Sequence, residues 1–87
     1  MKTYQTTAGI ELTPKQCECV NELKKLARKW KKDGKGLWIF SGSGTLHVML
    51  EGNTEQNPEP EKSSNGGVNP NNSITIISGI PNDGGDW

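Results

Sequence analysis

From Gly52 to Ser73 the chain runs 22 residues through Pro58, Pro60 and Pro70, many Asn and Glu, and a single aliphatic side chain, Val68. A tract of that composition has too little apolar surface to fold by hydrophobic burial, so it predicts a long mobile loop at about 52–72. The core must therefore come from the stretches on either side. The chain has 87 residues, 30% of them hydrophobic. That suffices for a single small domain over 1–87 with one modest core, and not for two ordinary domains.

The stretch before the loop opens with the strongest local signal. In Thr13-Pro14-Lys15-Gln16, Thr13 is placed to cap a helix, Pro14 suits the first helical position, and Gln16 completes a capping box. Leu12 lies just outside the cap and is positioned to staple against Cys17. Cys19, Val20, Leu23, Leu26, Ala27 and Trp30 then recur at spacings of three and four, which predicts an apolar stripe packed on a sheet. Asp33-Gly34-Lys35-Gly36 ends the helix, with Gly34 as the expected left-handed cap.

Leu37-Trp38-Ile39-Phe40 and Leu46-His47-Val48-Met49-Leu50 flank Ser41-Gly42-Ser43-Gly44-Thr45 and predict a β-hairpin. Alternation puts Leu46, Val48 and Leu50 on the face expected to meet the helix, and Thr45, His47, Met49 and Glu51 on the outer face. The first strand is apolar on both faces, which favours a central place in the sheet or cover over its far face. Two strands are marginal alone, and Ser73-Ile74-Thr75-Ile76-Ile77-Ser78 supplies a third. Thr3-Tyr4-Gln5-Thr6-Thr7 is a candidate fourth, at an edge. The expected fold class is α+β: one amphipathic helix packed on a small antiparallel sheet of three or four strands, in the order helix, strand, strand, long loop, strand.

No run approaches the roughly 18 apolar residues of a membrane span, and no apolar segment of signal-peptide type precedes Ile10. A cytoplasmic location without a membrane partner is expected. The formal charge is zero, but residues 1–50 hold nine cations against four acids while residues 51–87 hold Lys62 against six acids. The two parts of the chain therefore present opposite fields to a partner.

Catalytic and metal chemistry find little support. Cys17 and Cys19 point about 200° apart on a helix, which disfavours a disulfide. Cys19, on the apolar side, is expected as a buried thiol, and the lone His47 is on another element, so no zinc set is completed. The glycine-rich turn at 41–45 lacks the lysine and following helix of a phosphate loop. His47 and Glu51 share a face and would form an acid/base pair only beside a pocket that the pattern does not indicate. Asp83-Gly84-Gly85-Asp86 is shorter and poorer in oxygen ligands than a calcium loop. The expectation is a non-enzymatic chain with no catalytic residue, metal site or cofactor.

Binding surfaces are better marked. Trp30, Trp38, Phe40, Met49 and Trp87 are more aromatic and flexible apolar bulk than so small a core easily buries. The outer hairpin face of Trp38, Phe40, His47 and Met49, with Trp87 in the tail at 80–87, is the leading candidate for contact with a protein, either a second copy or a different chain; in the other register Trp38 and Phe40 point inward and Leu37 and Ile39 take the outer role. The open sheet edge offers a second route, by strand addition. The tail is expected to fold back, with Gly84-Gly85 allowing the bend and Trp87 covering the open sheet face. The helix offers the alternative of nucleic-acid contact: Lys24, Arg28, Lys31 and Lys35 line one flank and Lys25, Lys29 and Lys32 the other, straddling the apolar stripe. The expected function is thus a protein-interaction or accessory module, with nucleic-acid binding as its rival.

Overall fold

The computed structural model describes residues 2–42 and 44–84. The chain divides between Lys35 and Gly36 into two compact units. The first holds an N-terminal hairpin and helix α1 (Pro14–Asp33); the second holds strands β1 (Leu37–Gly42), β2 (Thr45–Leu50) and β3 (Ser73–Ile77). One helix and one three-stranded antiparallel sheet make the α+β class expected from the periodicities.

In the first unit the capping box forms as the sequence requires. Gln16 N–H donates to Thr13 Oγ1 at 3.1 Å, and Thr13 N–H donates to Gln16 Oε1 at 2.9 Å, which satisfies two donors that an uncapped helix would leave free. Gly34 closes the other end by donating to the Trp30 carbonyl at 2.8 Å. Its φ of −101° is not left-handed, contrary to the expected cap; glycine is needed because a Cβ would stand 2.9 Å from the Trp30 carbonyl oxygen. The left-handed residue is Gly36, with φ +89°.

The N-terminal segment does not add a strand to the sheet. It folds on itself: Thr6 N–H donates to the Ile10 carbonyl at 2.8 Å, Gly9 takes φ +91°, and Gln5 bridges Glu11. Tyr4 from this hairpin reaches α1, where its hydroxyl donates to Asn21 Oδ1 at 2.6 Å, and Asn21 Nδ2 donates to the Lys2 carbonyl at 3.0 Å. Asn21 lies one turn beyond Cys17 on the same side of α1, and Cys17, 2% exposed, is the buried thiol. Cys19 is exposed, contrary to the buried thiol expected there, whereas the burial of Cys17 agrees with the packing use expected of it beside Leu12. The expected stripe is open at its middle, with Leu23 61% and Leu26 46% exposed.

In the second unit the strand order is β1-β2-β3, which puts β2 rather than β1 at the centre. Trp38 pairs with Met49 and Phe40 with His47 on one face, while Leu37 pairs with Leu50 and Ile39 with Val48 on the other. Val48 and Met49, adjacent and on opposite faces of β2, are both buried, so the central strand is covered on both sides. The hairpin is closed at its open end by Glu51 N–H donating to the Gly36 carbonyl at 2.7 Å.

Where composition predicts a mobile loop, the structure holds a compact one tied by asparagine side chains. Asn57 Nδ2 donates to Asn72 Oδ1 at 2.8 Å, and Asn69 Nδ2 and Asn72 Nδ2 both donate to the Pro60 carbonyl, at 2.8 and 3.0 Å. Asn69 Oδ1 accepts from Asn71 N–H at 3.0 Å and caps a 3₁₀ turn, Pro70–Asn72, that leads into β3. Gly52 is buried beneath this network, and a Cβ on it would meet the Glu59 carbonyl oxygen at 2.7 Å.

Candidate functional site

The four hairpin residues singled out for contact do share one face, but unequally. The Phe40 and His47 rings lie 5.8 Å apart at 45°. Phe40 is exposed, Trp38 and His47 are half-buried, and Met49 is 2% exposed. Met49 therefore fills the interior instead of offering a contact surface, because it sits on the central strand directly opposite the large Trp38 side chain. Trp87, like Ser43, Gly85 and Asp86, falls outside the described residues.

His47 shows no acid/base partnership with Glu51. Its Nε2 stands 3.1 Å from Thr45 Oγ1, two residues away on the same strand face. Glu51 instead lines an open depression of about 560 Å³ with Gly36, Leu37, Trp38 and Glu61. Glu61 accepts from Gly52 N–H. The indole Nε1 of Trp38 is buried without a hydrogen-bond partner among the described residues. Among the described residues, no cluster of His, Cys, Asp and Glu has the make-up of a metal site, and no helix is long and apolar enough to cross a membrane.

The tail turns toward the hairpin. Asn82 accepts from the Ser41 hydroxyl and donates through Nδ2 to the Gly44 carbonyl at 3.0 Å. This ties residues 80–84 to the turn end of β1 and β2. Among the described residues the far edge of the sheet receives no such cover. Every residue of β3 is exposed, with Ile74 at 54%, Ile76 at 57% and Ile77 at 39%. Among the described residues β3 makes no ladder beyond β2, so its outer row of peptide groups is open. A bulge between Val48 and Met49 leaves Ile74 without a partner on β2. No charged residue occurs from Ser63 to Pro81. An open, uncharged and aliphatic edge of this kind is a template for pairing with another strand.

The sequence predicts strand addition at an open sheet edge, and the strand order is what makes β3 such an edge. On α1, Lys24, Lys25, Arg28, Lys29, Lys31 and Lys32 are all exposed, as is Lys35 beyond it. At about 100° per residue the two expected flanks join around the side of the helix opposite Leu23 and make one basic surface. Lys29 pairs with Asp33 at 3.5 Å, and Lys24 Nζ stands 5.1 Å from the centre of the Tyr4 ring. No family model, no curated protein and no solved structure matches the chain.

Proposed function

We propose that the chain is a non-enzymatic protein-interaction module whose docking element is the free edge of β3. The observation that carries this reading is the exposure of all five residues of β3 together with three isoleucines on an edge that lacks charge. Soluble chains commonly protect such an edge with lysine, proline or a covering segment; β3 contains neither residue, and Asn82, in the described part of the tail, is tied to Ser41 and Gly44 at the turn end of β1 and β2. Backbone pairing supplies affinity in strand addition, and alternate side chains supply selectivity. A non-enzymatic role is supported by the placement of the sole histidine and of the buried thiol: His47 is engaged by a threonine hydroxyl and an aromatic ring, and Cys17 is buried.

The test is capture from native lysate by the tagged full chain, with and without nuclease, beside an Ile76→Lys variant. A stoichiometric, nuclease-resistant protein that the variant loses supports the edge. Recovery dominated by nucleic acid, or protein capture that Ile76→Lys leaves intact, overturns it.

A second reading has its own observation. The six cations from Lys24 to Lys32 remain exposed on one side of α1, as contact with a phosphate backbone requires. Anisotropy of a labelled oligonucleotide across a salt series tests it. Nucleic-acid contact predicts affinity falling linearly on a log–log plot, with a slope shallower by about one for each phosphate-contacting cation removed, such as in Arg28→Ala.

A further inference from the structure

We propose that the strand received by β3 is the β3 of a second copy, paired antiparallel across a two-fold axis at Thr75; the inference rests on the edge-binding reading above. In that register Thr75 faces Thr75, Ile74 faces Ile76, and Ser73 faces Ile77 of the second copy. The segment Ile74-Thr75-Ile76 is a palindrome, so both directions across the seam read alike. A shift of one position puts Ile76 opposite itself and leaves Ile74 opposite Ser78, giving up one of the apolar pairs. The Thr75 register therefore covers the two most exposed isoleucines of the strand, in both copies, against one another.

Charge favours the same occupant. Identical strands bring identical charges together, and an edge that carried lysine or glutamate would repel its own copy. The 19 residues from Ser63 to Pro81 carry none, so two copies meet without that cost, and a charged partner finds no complement along the seam. Ile76 shares its face with His47 and Phe40, so the pairing extends that face into a continuous six-stranded sheet with β3 and its counterpart at the centre. The contact uses the same patch on both copies. It closes at two and does not propagate as a fibre. A single pair of five-residue strands is a small interface, which places the dimer in the weak, concentration-dependent class.

The experiment uses the full chain with Cys19→Ser, which removes the exposed thiol. Sedimentation velocity from about 10 µM to about 1 mM spans the range expected of a weak interface. A shift from monomer to dimer with rising concentration is expected, and its loss in Ile76→Lys at unchanged circular dichroism. Thr75→Cys should form a disulfide dimer under mild oxidation at least about tenfold faster than Ser64→Cys, an exposed loop control, because the directly opposed Cα atoms of an antiparallel pair lie within disulfide reach. A chain that stays monomeric throughout, a dimer insensitive to Ile76→Lys, or no preference for the Thr75→Cys cross-link overturns the proposal. Should a different protein then still be captured in a manner sensitive to Ile76→Lys, the self-pairing fails while the edge-binding reading stands.

Discussion

The Tyr4 hydroxyl donates to Asn21 Oδ1 at 2.6 Å across 17 positions of sequence, and this bond ties the N-terminal hairpin to α1. Asn21 also donates back to the Lys2 carbonyl, so one amide holds the hairpin at two points. Tyr4→Phe keeps the ring beneath Lys24 and removes only the hydroxyl. A loss of about 0.5–1.5 kcal/mol is expected in urea denaturation, with faster amide exchange over residues 4–12. Asn21→Ala should cost more than Tyr4→Phe, since it removes both ties.

Gly52 is required by close approach. Its φ is not in the left-handed region, but a Cβ there would meet the Glu59 carbonyl oxygen at 2.7 Å and Glu61 N at 2.9 Å, both backbone atoms that cannot swing aside. Gly52→Ala should destabilise by about 1–3 kcal/mol, as overpacking does. Thermal denaturation beside Ser64→Ala, an exposed control expected within about 0.5 kcal/mol of the parent, checks it.

Asn72, 3% exposed, joins two parts of the loop by accepting from Asn57 and donating to the Pro60 carbonyl. Asn72→Ala leaves the Asn57 amide with one fewer acceptor in a part-buried site. A loss of about 1–3 kcal/mol is expected, together with faster proteolytic cleavage between residues 53 and 68. Unchanged cleavage would show that the side-chain ties do not hold the loop.

The helix and hairpin were legible in the sequence because their signals are local. A capping box, a spacing of three and four, and a strand alternation each act within a few residues, and Thr13 and Gln16 meet as their spacing requires. The loop was not legible by the same means. Hydrophobicity scales count asparagine as polar surface, whereas Asn69 and Asn72 are buried donors to a carbonyl nine and twelve positions away. The run Asn69-Pro70-Asn71-Asn72 carried a usable signal: an asparagine before proline favours a side-chain cap, and here it starts a 3₁₀ turn. Met49 was misplaced for a related reason. Alternation assigns it to a face, but burial depends on strand order, and its central place follows from β3 pairing across a 22-residue connection. The open edge is legible only after that order is known.

The two thiols separate the faces of α1 in a direct chemical assay. Cys17 and Cys19 are two positions apart and so project about 160° apart when measured the shorter way around the helix. Cys17 is 2% exposed and Cys19 is exposed. A disulfide reagent such as dithiobisnitrobenzoate should therefore titrate one thiol at once, and Cys19→Ser should abolish that fast phase. The second thiol should react at least about 100-fold more slowly, at a rate set by opening of the surrounding structure, and should become fast in urea. Tyr4→Phe should accelerate this slow phase, because loosening the hairpin lowers the cost of opening the unit in which Cys17 is buried. Two fast thiols in the folded parent chain would place the buried face of α1 elsewhere.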